Sequence, residues 1–281
     1  MLGTELSHVF ENNKIDFFGT DREVDITDRK ALINFAGARS IDFIVNCAAY
    51  TAVDKAEDDE VSCRLLNVEG AANIALAAKS LNARLIHIST DYVFDGKGKM
   101  PYKEGDETCP TGVYGLSKRD GEISVLKENP DSYIIRTAWL YGKYGKNFVH
   151  TMLRLMNERD KIKVVNDQYG SPTWAFDFAN VILILIKTLN KGQTVPFGIY
   201  HYTNEGNITW FDFAKEIYKQ GRESGHLKKE CKIKPCTSAE YQTRASRPVY
   251  SVLDKTKIKK SLNIKIPDWD TSLNNFILNG K

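Results

Sequence analysis

Short apolar runs alternate with longer amphipathic stretches through the first two-thirds of the chain. The runs have the length of buried strands, whereas the longer stretches carry apolar residues at helical spacing. Strands are predicted at 15–18, 42–46, 84–89, 133–137 and 199–202. Helices are predicted at 28–38, 62–80, 114–129, 148–158, 175–188 and 210–221. This alternation is typical of an α/β protein with a doubly wound parallel sheet.

The alternation stops after residue 203. From there the chain is polar and rich in lysine, and it is interrupted by Pro235, Pro248 and Pro267. We therefore expect a Rossmann-like α/β domain that carries a smaller C-terminal lobe.

The beginning of the chain differs from the usual opening of such a domain. A dinucleotide-binding unit normally opens with an apolar strand and a glycine-rich turn that leads into a helix. Here the chain begins Met1-Leu2-Gly3 and runs directly into a helix-like stretch. We expect the first strand and the earlier glycines to be absent, with Gly3 as the last glycine of the turn. A glycine that merely leads a helix accounts for Gly3 equally well.

Composition and charge exclude several classes of protein. With 281 residues, 42% of them hydrophobic, the chain can bury a sizeable core. A formal net charge of +3 is too small to indicate nucleic-acid binding. The most apolar run, 181–186, is too short to span a membrane. The 5 cysteines form no disulfide framework, which suits a reducing, cytoplasmic location.

Two short segments carry the candidate chemistry. Thr90 follows an apolar run, so its hydroxyl is expected at a strand's carboxyl end, where open α/β sheets bind ligands. Tyr114 and Lys118 lie one helical turn apart and so share a face of the predicted helix. Hydride transfer to a carbonyl leaves negative charge on oxygen, which needs a proton donor and preorganised hydrogen bonds. The three groups therefore form a candidate site for carbonyl reduction.

Tyr114 is the natural proton donor of this set, although a free phenol has a pKa of about 10. We expect the Lys118 ammonium to favour the phenolate and lower that pKa, while Thr90 orients the phenol or the substrate oxygen. The alternative is that Tyr114 and Lys118 are an exposed helical pair. His87, inside the predicted strand, is interpreted as a buried core histidine rather than a catalyst.

Ordered motifs extend this interpretation along nearly the whole chain. They are Asp-Ile-Thr-Asp at 25–28, Asn-Cys-Ala-Ala-Tyr-Thr-Ala-Val-Asp at 46–54, Ser-Thr-Asp-Tyr-Val-Phe-Asp-Gly at 89–96, Tyr-Gly-Leu-Ser-Lys at 114–118, Arg-Thr-Ala-Trp-Leu-Tyr-Gly at 136–142 and Asp-Gln-Tyr-Gly-Ser-Pro-Thr at 167–173. Together they resemble the extended short-chain dehydrogenase/reductases and, within them, the dTDP-4-dehydrorhamnose reductases. A lone Tyr-x-x-x-Lys is weak evidence, whereas the ordered set is specific.

The resemblance implies reduction of the C4 keto group of dTDP-4-dehydro-L-rhamnose by NADPH or NADH, with Tyr114 as proton donor. It implies a dinucleotide-binding domain at 1–140 and 174–203, and a substrate-binding lobe at 141–173 and 204–281. The expected partner is a small nucleotide sugar, and a monomer and a homodimer both stay open.

Further site residues follow from the resemblance alone. Cofactor contacts are assigned to Gly3, Asp25, Ile26, Ala48, Ala49, Tyr50, Thr51, Tyr114 and Lys118. Substrate contacts are assigned to Trp139, Asn147 and Arg247. The two alanines also suit simple packing, and Asp25 also suits a helix cap, so these alternatives stay open.

Magnesium is also left open by the resemblance, because some relatives use it near a glutamate of the first helix. Glu5 stands at the matching place. A carboxylate in a helix's first turn is, however, ordinarily explained by its favourable interaction with the helix dipole.

Alternative functions are weighed at the loop that follows Thr90. Sugar-nucleotide dehydratases of the same superfamily resemble Thr-Asp-Glu there, whereas this chain has Tyr92 after Asp91, which argues against elimination. A reductase of another nucleotide-linked keto-deoxysugar stays open. The reductases also resemble the regulatory subunit of methionine adenosyltransferase, a non-catalytic role. The complete set of Thr90, Tyr114 and Lys118 favours an enzyme.

Overall fold

Apolar runs of the sequence form the parallel sheet at the centre of the protein, which is described over residues 1–279 of a computed structural model. The sheet strands, in spatial order, are β1 (Phe43–Asn46), β2 (Arg84–Thr90), β3 (Ser132–Thr137) and β4 (Gly198–His201). All three pairings are parallel, so the carboxyl ends of the strands meet at one edge. This places Thr90 at the edge where ligands of such sheets bind.

Helices cover both faces of this sheet and supply most of the remaining structure. They are α1 (Leu2–Asn12), α2 (Arg29–Gly37), α3 (Val53–Ala56), α4 (Glu60–Arg64), α5 (Ala71–Ser80), α6 (Val113–Glu128), α7 (Phe148–Glu158), α8 (Ala175–Asn190), α9 (Trp210–Glu223), α10 (Thr256–Leu262) and α11 (Trp269–Asn279). None of the helices within residues 1–279 is both long and apolar enough to cross a membrane.

The two faces of the sheet bury different side chains because successive residues of a strand point to opposite sides. Leu85 and Ile134 pack with the small and branched residues of α5 and α6. Ile86 and Ile135 pack with α1 and α8 on the other face. The doubly wound α/β fold expected from the sequence is therefore confirmed.

The predicted strand at 15–18 is wrong. Residues 15–20 follow α1 without regular secondary structure. Among the described strands, β1 pairs only with β2, and the 15–18 segment forms no ladder with it. Ile15 and Phe17 instead pack as partly buried side chains against the core, which explains their apolar pattern.

The predicted helix at 62–80 is one helical run with an interruption. It consists of α4, a π-helical segment at Leu65–Gly70, and α5. A π-helical turn inserts an extra residue into the ladder and is frequent at functional sites. Here it carries Asn67, which is buried and points into the polar network described below.

A second hydrophobic cluster forms beyond the carboxyl edge of the sheet. It joins α7, α9 and α11 through side chains such as Val149, Phe213 and Leu273. Short two-stranded ladders accompany it, pairing Lys161–Val165 with Lys232–Cys236, Leu140–Tyr141 with Thr173–Trp174, and Tyr169–Gly170 with Ile208–Thr209. Ile258 and Leu262 of α10 pack in the core of the sheet instead. The predicted domain boundaries stay a prediction, and residues 280–281 of the predicted lobe lie outside the described residues.

Helix α6 lies unusually close to its neighbours at two glycines. A Cβ added at Gly115 would come within 2.2 Å of the Tyr92 carbonyl oxygen, and one at Gly121 within 2.1 Å of the Asn67 carbonyl oxygen. Backbone atoms cannot yield as flexible side chains do, so glycine is required at both places. This contact sets the position of the helix that carries Tyr114 and Lys118.

We expect Gly121→Ala to lower the free energy of unfolding by about 1–3 kcal/mol, because the new methyl group overpacks α6 against the π-helical segment. Gly37→Ala is the matched control, since nothing lies within 4 Å of a Cβ added at this helical glycine. Urea denaturation of both variants measures the difference. Equal stability of the two variants would contradict the proposed packing constraint.

Candidate active site

Thr90, Tyr114 and Lys118 are brought together at the carboxyl edge of the sheet. Thr90 ends β2, and the first turns of α6 carry Tyr114 and Lys118. All three side chains are buried, with Lys118 only 2% exposed. The Thr90 hydroxyl donates a hydrogen bond to Asp91 Oδ1 at 2.9 Å and also bonds the Tyr114 phenol. The predicted grouping is therefore present, and the alternative of an exposed helical pair is wrong.

Burial controls the acidity of Tyr114. Removal from water raises the pKa of the phenol above its usual range, and the hydrogen bond with Thr90 lowers it in part. The nearby Asp91 raises the phenol pKa further. We expected the Lys118 ammonium to lower this pKa, but in the protein alone desolvation outweighs the stabilising groups. The phenol therefore keeps its proton at neutral pH, and its raised pKa makes it a weaker acid than a free phenol.

Lys118 is held by the backbone of β2 and faces His87. Its Nζ donates to the Ile88 carbonyl oxygen at 2.7 Å and lies 3.4 Å from His87 Nε2. Burial lowers the pKa of Lys118 to about 8. His87 is buried, as expected for a core histidine, but sequence reasoning missed its contact with Lys118. The alternation of side chains along β2 could have indicated this contact, since it places His87 on the sheet face that α6 covers.

Asn67 joins the loop after β1 to helix α6. Its side-chain amide forms two hydrogen bonds with the backbone of Tyr50. The amide oxygen accepts from the Tyr50 nitrogen at 2.8 Å, and the amide nitrogen donates to the Tyr50 carbonyl oxygen at 3.1 Å. It also donates to Ser117 Oγ at 2.9 Å. The backbone of the loop that carries Ala48, Ala49, Tyr50 and Thr51 is thus fixed relative to the catalytic candidates. Sequence reasoning placed Asn67 on a helix but did not identify this role.

Gly3 lies at the start of α1 against the end of β1, where a Cβ added to it would lie 3.6 Å from Cys47 Cβ. Burial raises the Cys47 thiol pKa to about 12, and the charges of the chain's amino group and of Lys118 both act on it in the opposite direction. The first turn of α1 has no side-chain cap, so its amide groups are available to an anion.

Two buried oxygen atoms in the same region lack a hydrogen-bond partner among the described residues, namely Ser89 Oγ and Asp91 Oδ2. The helix start and Lys118 fit the negative charge of a nicotinamide dinucleotide, whereas the Asp91 carboxylate can only accept hydrogen bonds from neutral polar groups of such a ligand.

Asp25 and Ile26 lie on a turn that rests on α5. The Asp25 carboxylate accepts hydrogen bonds from the amide and the hydroxyl of Thr27, both at 2.8 Å, and these bonds lower its pKa. Ile26 packs over Gly70, where a Cβ would come within 2.6 Å of its side chain. Asn73 donates to the Ile26 carbonyl oxygen and fixes the turn. Asp25 is thus a turn residue rather than a helix cap, and its cofactor role stays a prediction.

Arg247 reaches the site through Tyr92. It donates to the Tyr92 hydroxyl at 3.0 Å and forms an ion pair with Asp54 at 2.5 Å. The Tyr92 ring in turn meets the Tyr114 ring edge to face at 5.5 Å. A diphosphate would therefore have to share this guanidinium with Asp54.

The other two predicted substrate residues are engaged in local structure. Trp139 adopts a left-handed backbone conformation (φ 47°) and stacks on Trp210 at 3.5 Å between ring centroids. Asn147 caps α7, accepting from the His150 amide at 3.1 Å and donating to the Gly142 carbonyl oxygen at 2.7 Å. Their substrate roles stay predictions.

Glu5, the weak metal candidate, is a buried side chain of α1 whose Oε2 has no partner among the described residues. Burial raises its pKa. Within residues 1–279, no three His, Cys, Asp or Glu side chains are arranged to hold a metal ion. Magnesium has no support from this geometry.

Comparison with known proteins gives consistent matches over the whole chain. The family described as RmlD substrate binding domain matches residues 1–280. The dTDP-4-dehydrorhamnose reductase of Aggregatibacter actinomycetemcomitans is 40% identical over 276 residues, which cover 98% of this chain and 94% of that protein. The enzyme of the same name from Streptomyces griseus is also 40% identical, covering 97% and 88%.

Solved structures agree with these sequence matches. The dTDP-4-dehydrorhamnose reductase of Clostridium acetobutylicum has a TM-score of 0.90 and 39% identity, with 98% of this chain and 94% of that one covered. The Bacillus anthracis reductase, solved in complex with NADP, has a TM-score of 0.90 and 36% identity, covering 99% and 95%. With a family match along its length and relatives well above 30% identity, the chain belongs to the RmlD substrate-binding family, which confirms the resemblance found in its sequence.

Proposed function

We propose that this protein reduces the C4 keto group of dTDP-4-dehydro-L-rhamnose to give dTDP-L-rhamnose, using NADPH or NADH. The observation that carries the proposal is the buried cluster of Thr90, Tyr114 and Lys118 at the carboxyl edge of the sheet. The names of the relatives, and the NADP bound to the Bacillus anthracis protein, support the same substrate and cofactor class.

When bound, a reduced nicotinamide would supply the hydride. Tyr114 would donate its proton to the oxygen that becomes negative, and burial, which raises the phenol pKa in the free protein, makes it a weaker acid than a free phenol. The Thr90 hydroxyl bonds both the phenol and Asp91, so it holds the phenol in place for the transfer. Lys118, Gly3 and the loop at 48–51 are assigned to cofactor binding, and Asp25 and Ile26 to its adenine end.

The sugar nucleotide is assigned to the space between the sheet edge and the second hydrophobic cluster. Trp139 is the candidate for packing on the sugar face, with Trp210 fixing the plane of its indole. Arg247 is the candidate for the diphosphate, since a guanidinium matches phosphate oxygens in a two-pronged hydrogen bond. Asn147 is the third candidate for a substrate contact, and its side chain caps the start of α7.

A reductase of another nucleotide-linked keto sugar is the second candidate. A Streptomyces antibioticus protein named as a probable dTDP-4,6-dihydroxy-2-methyloxan-3-one 4-ketoreductase is 37% identical to this chain, which it covers to 97%. The two candidates use the same chemistry at the carbonyl, so only the sugar preference distinguishes them. Comparing kcat/KM for both dTDP-sugars decides between them.

We expect Tyr114→Phe to lower kcat by about 100-fold or more, because the proton donor is lost while the ring and its packing remain. The loss of absorbance of the reduced nicotinamide, with dTDP-4-dehydro-L-rhamnose as substrate, measures the rate. Tyr241→Phe is the matched control, since this tyrosine is 58% exposed. Full activity of Tyr114→Phe would overturn the assignment, and an inactive wild-type protein that binds the cofactor would favour a non-catalytic role.

We expect Thr90→Val to lower kcat on the order of 100-fold, because the buried phenol loses the hydrogen bond that holds it. Thr90→Ser keeps the hydroxyl and should retain most of the activity. Steady-state kinetics on both variants provide the comparison. If the serine variant is as impaired as the valine variant, the threonine acts through its methyl packing and the proposed hydrogen-bonding role fails.

A further inference from the structure

A row of three polar side chains crosses the sheet beneath the candidate site. Asn46 ends β1, His87 lies in the middle of β2, and Lys118 reaches down from α6. Asn46 and His87 are 4% and 1% exposed, so water cannot form hydrogen bonds with the amide of Asn46 or with the ring of His87. Every hydrogen atom in this row therefore has to be matched by an acceptor inside the protein.

The orientation of the Asn46 amide is fixed by the backbone. The Ala48 amide nitrogen donates to Asn46 Oδ1 at 3.0 Å, and a backbone N–H can only donate. The nitrogen of the Asn46 amide must then be the atom that faces His87 Nδ1, at 3.0 Å. Because that nitrogen also only donates, Nδ1 has to be the accepting atom of the imidazole.

This assignment decides which atom His87 turns toward Lys118. A neutral imidazole with a lone pair on Nδ1 carries its proton on Nε2. His87 is neutral, since burial keeps its pKa well below the usual value. Its Nε2–H lies 3.4 Å from Lys118 Nζ, which already donates to the Ile88 carbonyl oxygen at 2.7 Å. An N–H facing an ammonium is unfavourable, whereas an uncharged amine can accept it.

We propose that Asn46 and His87 are positioning residues that favour the uncharged amine of Lys118 in the cofactor-free protein, by presenting an N–H to Nζ instead of a lone pair. The inference deepens the proposed function, on which its relevance to reduction rests. The protonation itself is a property of the free protein.

The other groups around Lys118 agree with this assignment. Glu122 lies one turn further along α6, but both of its carboxylate oxygens bond Arg136, at 2.8 and 2.7 Å. Cys47, after β1, and Cys63, on α4, face Lys118 from the other elements, and burial raises the pKa of both thiols. At neutral pH these thiols are uncharged, so no unpaired anion among these neighbours holds the ammonium. Burial also lowers the Lys118 pKa, so it favours the uncharged amine as well.

The direct test is nuclear magnetic resonance on the cofactor-free wild-type protein. Nitrogen-15 shifts of the His87 ring distinguish the two tautomers, and carbon-13 shifts of the lysine side chains report their titration. The signal of Lys118 is identified by its absence in Lys118→Met. We expect the Nε2–H tautomer of His87 throughout the neutral range and a Lys118 midpoint at least one pH unit below that of exposed lysines. An Nδ1–H tautomer, or an ordinary lysine midpoint, overturns the proposal.

Asn46→Asp supplies the matched variant, since a carboxylate of the same shape accepts from Nδ1–H and still accepts from Ala48. We expect the His87 proton to move to Nδ1 and the Lys118 midpoint to rise by one pH unit or more. Lys255, a buried lysine paired with Glu205, is the internal control, and the variant should leave its carbon-13 signals unchanged. An unchanged tautomer in Asn46→Asp contradicts the role of Asn46.

The kinetic readout separates this proposal from the proposed function. In an active enzyme, the pH profile of kcat should shift in Asn46→Asp in the same direction as the Lys118 midpoint. Resonance data as expected, with no reductase activity in the wild type, would overturn the function and leave the tautomer assignment standing. If the wild type is active but its His87 is the Nδ1–H tautomer and the pH profile is unshifted in Asn46→Asp, the proposed function stands and the tautomer assignment is wrong.

Discussion

The close contact of α6 with the carboxyl edge of the sheet is the constraint on which the rest of the site depends. Gly115 and Gly121 let the helix backbone approach carbonyl oxygens of its neighbours at distances that a Cβ would forbid. A buried ion pair between Glu122 and Arg136 ties the same helix to β3. With the helix held at this depth, Tyr114 and Lys118 are withdrawn from water and brought against the end of β2.

Burial at this depth has electrostatic consequences that favour neutral forms. The phenol of Tyr114 keeps its proton because its anion would be poorly solvated, and Lys118 gives up its proton more readily for the same reason. The two groups are thus neutral over part of the alkaline range in the free protein. A charged cofactor at this site would change that balance, so cofactor binding would be coupled to the position of these protons.

Several residues around Tyr114 and Lys118 connect separate elements of the fold. Asn67 holds the loop after β1 to α6, Tyr92 connects Arg247 to the ring of Tyr114, and Asn46 orients His87 beneath Lys118. Each of these contacts joins elements far apart in the sequence. The site is therefore a product of how the sheet and its helices are packed, and single side chains act in it through their neighbours.

Local periodicity was enough to predict the α/β class, four of the five sheet strands and the pairing of Tyr114 with Lys118, because it decides which residues share a face. Periodicity did not predict the state of residues 15–18, since a strand also needs a neighbouring strand to bond, and the position of that neighbour depends on how the whole chain packs. It also did not predict how burial raises the pKa of Tyr114 in the protein alone, and it missed the partners of His87 and Asn67. Burial and hydrogen bonding at those positions arise between β1, β2 and α6, and no spacing along a single segment encodes them.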